Sequence, residues 1–411
     1  MYRSIAQGGR RCRGSSLAMR RGSWWRAVGV VVAAWAVGVG TVMPAAAASD
    51  PPDYLTIMKA QEMWKVADGS GITVAVVDSG FKEVPGVRSE SVLPGVSVMS
   101  PPIEQPDKKY SPHDDVDGHG TTMTAAIVGD GSGGGPKGLA PGAKIMPVRT
   151  SLGTPMAFAA GAEGAKGIRY AADNGARIIN LSWGDYYSYP RLKAAVQYAQ
   201  SKGVLVIAAM GNEGEGNNAI NLITQVPGVL GIGAIDEKAM PLDLSSHGHT
   251  TDLSAYGSKA RIRCKENSGW CVADGGTSYA TALASASAAL VWSAHPDWTA
   301  HQVTRVLIET AGGPVDGAKR NDWIGYGAVR PRMVLLEKAG TPGAPDVDPL
   351  APVPTKPPTP SPTPSTGQTV VAPAQAASGE AGPPWQWLAL GAVVAAGLGL
   401  AGTLVVKRRR G

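Results

Sequence analysis

The sequence predicts an α/β protein, with a three-layer α/β/α core around a central, mainly parallel sheet and a C-terminal transmembrane helix. Three observations carry this. Short β-branched runs such as Ile72–Val77 alternate with helical segments through the middle of the chain, the pattern of strands joined by crossover helices. Several of these strands end in polar or glycine-rich turns, where open α/β sheets place their ligands. Finally, Leu388 to Val406 carries no charge and is about 19 residues long, enough to cross a ~30 Å hydrocarbon core at ~1.5 Å per residue.

Composition sets the outer bounds. The chain has 411 residues, of which 44% are hydrophobic and 17% charged, ample for a large core plus tails. The net charge of +6 does not indicate a nucleic-acid partner. Much of the excess lies before residue 27 and in Lys407–Arg410, and both runs flank apolar segments, so they read as topology signals. Of 3 cysteines, Cys12 falls in the N-terminal leader. Cys264 and Cys271 remain as one candidate disulfide of an exported domain, the alternative being two unrelated thiols.

Taken in order, residues 1–48 read as a secretory signal, with a basic stretch from Arg10 to Arg26, an apolar stretch from Ala27 to Met43 and small residues ending near Ala48. An uncleaved anchor is the alternative. Residues 49–65 form a short amphipathic arm. A globular domain spans 66–338. Its first strand, Ile72–Val77, is a β-branched run covered on both faces and closes on Asp78-Ser79-Gly80. The Pro-, Ser- and Asp-rich stretch from Lys82 to Val116 reads as surface loop; His113, Asp114 and Asp115 in it and Asp117 just after it could suggest a metal site, but their spacing is irregular for one. No metal and no cofactor are expected.

Asp117-Gly118-His119-Gly120-Thr121-Thr122 opens a helix that runs to about Val128, with glycines leaving the imidazole reachable. Gly131–Gly142 matches neither phosphate-binding glycine pattern and reads as loop. Strands then follow at 144–148, 176–182, 204–209 and 229–234, with helices at 161–174 and 190–202. A buried helix over 280–294 and an amphipathic helix over 297–311, with Thr299 and Gln302 as a capping box, complete the domain. Residues 339–384 are a Pro-rich linker, 385–406 the transmembrane helix, and 407–411 a basic cytoplasmic tail, which puts the globular domain outside the cell.

Gly275-Gly276-Thr277-Ser278-Tyr279-Ala280 stands at the mouth of the buried helix. Either Ser278 or Thr277 caps that helix, or Ser278 serves as a nucleophile beside unpaired backbone N–H groups. A serine nucleophile needs an imidazole to take its proton and an acid to orient the imidazole, and His119 and Asp78 supply those residue types. Asn212 ends a buried strand, either as a turn residue beside Gly211 or as a donor to a developing oxyanion.

The stretches V-V-D-S-G, D-G-H-G-T, N-L-S-W-G, A-A-M-G-N-E-G and G-G-T-S-Y-A resemble the successive signatures of subtilisin-like serine peptidases over roughly Val66 to Leu336. The resemblance implies a subtilisin-like fold and serine endopeptidase activity on protein or peptide substrates. It makes Ser278 the nucleophile, His119 the general base and Asp78 the orienting carboxylate, with Asn212 in the oxyanion hole. It also makes Ser182-Trp183-Gly184 and Ala209-Met210-Gly211 the strand edges that bind substrate, Trp183 and Met210 serving either as pocket walls or as core fillers. Ser79, Thr122 and Ala282 depart from the common residues Thr, His and Pro. The whole layout is similar to the mycosins, membrane-anchored proteases of type VII secretion. That implies a single-pass protein of the cell membrane, processing of secreted proteins and contact with secretion channel components. The competing expectation is a structural component of the secretion complex with dispensable catalysis.

Overall fold

The computed structural model describes residues 54–101, 103–152, 160–184, 190–264 and 269–351. The signal segment, the first residues of the arm, the linker beyond Ala351, the expected transmembrane helix and the basic tail lie outside the described residues. Among the described residues no helix is long and apolar enough to cross a membrane.

Two short helical turns, α1 (Tyr54–Ile57) and α2 (Ala60–Met63), lead into β1 (Thr73–Asp78). Then come β2 (Val96–Ser97), α3 (His119–Val128), β3 (Lys144–Arg149), α4 (Ala160–Asp173), β4 (Ile178–Leu181), α5 (Pro190–Ser201), β5 (Leu205–Ala209), β6 (Leu230–Ile235) and β7 (Leu253–Tyr256). A hairpin of β8 (Ala260–Arg263) and β9 (Trp270–Ala273) precedes α6 (Gly276–Ala294), α7 (Ala300–Glu309) and α8 (Pro331–Leu335). The seven sheet strands run in the order β2-β3-β1-β4-β5-β6-β7, and every pairing is parallel.

The period of two in the strands decides which helices cover which face. Val74, Val76, Ile178, Ile207 and Ile232 pack in the layer of α3, α6 and α7. Their neighbours Ala75, Val77, Ile179, Val206 and Ala208 pack in the layer of α4 and α5. With both faces buried the strands need continuous apolar runs, which is why they stand out in the sequence. β2 does not stand out: its two residues lie inside a stretch that reads as loop. α7 carries the expected capping box, the Thr299 N–H donating to Gln302 Oε1 at 3.0 Å and the Gln302 N–H to Thr299 Oγ1 at 3.4 Å.

Two peripheral segments are tied to this core. The arm packs Tyr54 edge-on against Tyr279, ring centroids 6.3 Å apart, and Trp64 Nε1 donates to Leu139 O at 2.8 Å. The first residues of the Pro-rich stretch run along α7, where the Arg305 guanidinium donates to the carbonyls of Pro342, Ala344 and Val347.

Candidate active site

From Gly276 to Trp292 every residue of α6 is buried except Ser278. Small residues line the helix so that it can run through the core, and the serine is where it opens to solvent. Gly276, at φ 58°, makes the turn before it, and a Cβ there would lie 2.6 Å from Asn212 Oδ1. That close approach has a purpose. Asn212 Oδ1 accepts from Thr277 N at 2.9 Å and from Thr277 Oγ1 at 3.0 Å, so the amide oxygen is held and the Nδ2 donors face away from Thr277. Ala282 is fully buried inside α6, which continues through that position without a break.

Asp78 ends β1 with 4% exposure, and its Oδ1 accepts from Ser79 N at 2.7 Å and Ser79 Oγ at 3.2 Å. His119 is the first residue of α3, where Nδ1 lies 2.8 Å from Asp78 Oδ1 and 3.0 Å from Oδ2. A carboxylate only accepts, so Nδ1 carries the proton and Nε2 is the acceptor of the neutral ring. The imidazole is about a third exposed at 33%. Burial, the largest single influence, lowers its pKa. The charge and hydrogen bond of Asp78, aided by the charges of Asp117 and Asp115, outweigh burial and raise it from 6.5 to about 9.

The turn that presents His119 rests on Asp115, which is 5% exposed. Its carboxylate accepts from Gly118 N at 2.9 Å, Thr121 N at 2.8 Å and Thr121 Oγ1 at 2.7 Å, standing in for a cap on α3. Ser79 joins β1 to this turn by accepting from Gly120 N at 3.0 Å. The other members of the acidic stretch have separate partners: Asp114 pairs with the buried Arg149 at 2.8 Å, and His113 Nε2 meets Pro94 O at 2.8 Å. Thr122 accepts from Arg263 N at 3.0 Å, which sets the β8–β9 hairpin against the start of α3. Cys264 and Cys271 are joined across this hairpin with Cα atoms 5.4 Å apart.

The Ser278 hydroxyl donates to Ser182 O at 2.7 Å, and Ser182 Oγ donates in return to Ser278 O at 2.9 Å. Asn180 Nδ2 holds Ser182 Oγ at 2.8 Å. α3, which begins at His119, packs against α6, whose first turn carries Ser278. A hydroxyl, an imidazole held by a buried carboxylate and a side-chain amide are the residue types that acyl transfer through a serine requires.

Of the six residues expected at the substrate edges, Ser182–Gly184 follow β4, Ala209 ends β5, and Met210 and Gly211 follow it. Trp183 is half-buried, and its Nε1 donates to Val77 O at 2.7 Å. Met210 is fully buried, with its N–H donating to Ile232 O at 3.0 Å. Gly211 N donates to Thr277 Oγ1 at 3.3 Å, and Gly211 O accepts from Ser246 N at 2.9 Å. Asn221, which no sequence motif marks, is a fully buried amide that donates to both Trp183 O and Ala209 O.

Comparison with known proteins agrees with this architecture. Residues 69–329 match the family model described as the subtilase family. Subtilisin E of Bacillus subtilis (strain 168) is 31% identical over 245 residues, 59% of this chain and 61% of that protein. The chain spans about three-fifths of the length of the first curated relatives that it matches. Among solved structures, MycP1 from Mycobacterium smegmatis superposes with a TM-score of 0.58 at 25% identity, covering 77% of this chain and 91% of that one. The MycP3 protease from the type VII (ESX-3) secretion system gives 0.56 at 27% identity, covering 68% and 87%. With a match over residues 69–329 and this fold, the chain belongs to the subtilase family.

Proposed function

We propose that this chain is a membrane-tethered, extracytoplasmic serine endopeptidase that processes secreted proteins of a type VII secretion pathway. The observation that carries the catalytic part is the 2.8 Å contact of His119 Nδ1 with Asp78, on a helix packed against α6, in which Ser278 is the one solvent-reaching residue between Gly276 and Trp292. The tether rests on the apolar stretch 385–406 followed by Lys407–Arg410, and export rests on residues 1–48. The pathway rests on the likeness to MycP1 and MycP3.

In the reaction, the N–H of an extended peptide replaces the Ser278 hydroxyl at Ser182 O, and the hydroxyl turns toward His119. Ser278 Oγ gives its proton to His119 Nε2 and bonds to the scissile carbonyl carbon. Asn212 Nδ2 and the Ser278 N–H receive the oxyanion. His119 then passes the proton to the leaving amine as the C–N bond breaks, leaving an acyl-Ser278 ester. Water, deprotonated by the same imidazole, hydrolyses the ester. Asp78 holds the ring and balances its transient charge.

Labelling of the purified full-length chain with a fluorophosphonate tests this. Wild type should label and Ser278→Ala should not, while peptide hydrolysis falls by about 10⁶-fold, a magnitude known from subtilisin itself. Asn212→Ala should lower kcat by about 10²–10³-fold, again the range established on subtilisin. A folded wild-type chain that does not label would end the proposal. If Ser278→Ala still supports secretion in cells, the chain acts in its pathway as a structural component.

A further inference from the structure

β4 reads Ile178-Ile179-Asn180-Leu181, and all four residues are buried. Asn180 is the one polar residue among them. By the period of two it shares the face of Ile178, which packs in the layer of α6. An amide buried among apolar side chains costs free energy unless its polar atoms are bonded. Here the bonds lead to the nucleophile turn.

Ser285 Oγ, two turns along α6 from Ser278, donates to Asn180 Oδ1 at 3.1 Å. Asn180 Nδ2 donates to Ser182 Oγ at 2.8 Å, and Ser182 Oγ donates to Ser278 O at 2.9 Å. Asn180 and Ser285 are 0% exposed and Ser182 2%, so the chain of bonds is closed to solvent. A hydroxyl has one proton, and with Asn180 donating to Ser182 Oγ that proton is left for Ser278 O. The bonds thus run one way, from the middle of α6 through β4 and back to the first turn of α6. That turn needs holding. Its N-cap is Gly275, which offers no side-chain bond, and Gly276 at φ 58° follows.

We propose that Asn180 and Ser285 are positioning residues for the nucleophile: they keep Ser182 Oγ aimed at Ser278 O and so fix the turn that carries Ser278. The inference rests on the serine endopeptidase reading. Neither residue touches substrate. Ser182 and Ser278 are joined by two reciprocal bonds, which tie the edge that takes the peptide to the turn that attacks it. When a peptide N–H displaces the Ser278 hydroxyl from Ser182 O, the bond from Ser182 Oγ to Ser278 O is the one that remains. Its worth is therefore felt in the chemical step rather than in binding.

The test is a double-mutant cycle on the full-length chain in detergent. Hydrolysis of one peptide gives kcat and KM, and the rate of fluorophosphonate labelling reads Ser278 without a peptide. Asn180→Leu and Ser182→Ala should each lower kcat and the labelling rate by about tenfold, the worth of one buried hydrogen bond, and leave KM within about twofold. The double variant should be no slower than Ser182→Ala, because Asn180 acts only through that hydroxyl. Losses that multiply, a rise in KM in place of the fall in kcat, or unchanged rates in folded Asn180→Leu overturn the proposal. Should Asn180→Leu not fold, Ser285→Ala takes its place, with a loss of about threefold alone and none beside Ser182→Ala. A wild-type chain that never labels disproves the endopeptidase reading and this one together. A wild type that labels, with folded variants that keep its rate, disproves this one alone.

Discussion

His119 can accept the proton of Ser278 only when its ring is neutral, and Asp78 delays that neutrality. Burial alone would favour the neutral ring, but the carboxylate at 2.8 Å, with Asp117 and Asp115 behind it, carries the pKa to about 9. The pH dependence of kcat/KM should therefore show a rising limb centred near 9, well above the 6.5 of a free imidazole. Asp78→Asn should move that limb down, since burial then acts without the opposing charge, and should cut the rate by about 10⁴-fold. Titration of hydrolysis against pH checks both, and a wild-type limb at or below 6.5 would refute the electrostatic account. Asp78, His119, Asn212 and Ser278 were legible because each sits in a short motif with unusual neighbours. Asp115 was not, because its carboxylate serves the backbone of a turn, and in the sequence it is one acid among several. Asn221 was hidden for a similar reason: it lies in the polar stretch Asn217-Asn218-Ala219-Ile220-Asn221, and only the fold brings it to the ends of β4 and β5.

At the scale of elements, the strands of the sheet centre could be read because burial on both faces demands continuous apolar runs. The β8–β9 hairpin could not, since its strands are short and its outer residues exposed, and the cysteines were its one visible trace. It matters to the site nonetheless. Arg263 N donates to Thr122 Oγ1, and a Cβ on Gly118 would lie 2.7 Å from the Arg263 Cβ, so the hairpin braces the turn that presents His119. The disulfide closes a loop with a separation of 7 residues. In the chain-entropy account such a closure is worth about 2–3 kcal/mol. Cys264→Ser with Cys271→Ser should lower the melting temperature and reduce kcat more than it raises KM, because the brace acts on the base rather than on the substrate edges. Thiol counting on unreduced, denatured protein should find neither cysteine free. Unchanged kcat in the folded double variant would show that α3 holds its turn without the hairpin.

Over the whole molecule, two groups far apart in the sequence tie stability to pH in the same direction. Asp252 accepts from Gly231 N at 2.8 Å, and burial raises its pKa from 3.8 to about 7. The bond to Gly231 and the charge of Arg320 oppose that rise, and Asp348 adds to it. A raised acid binds its proton more tightly in the folded chain than in the unfolded one. Its contribution is therefore complete below 3.8 and disappears as pH rises through 7. The same holds for His119, whose contribution is complete below 6.5 and is lost by about 9. Stability should thus fall steadily from mildly acidic to alkaline pH while the rate of hydrolysis climbs over the upper half of that range. Melting temperatures measured between pH 4 and 9, a window of roughly those pKa values, check this. Asp252→Asn keeps an acceptor for Gly231 N and removes the titration, so it should flatten the acidic half of the curve and leave the alkaline half in place. A wild-type curve that rises from pH 4 to 7 would mean that the carboxylate of Asp252 is ionised in the folded chain throughout, with Arg320 rather than burial in control.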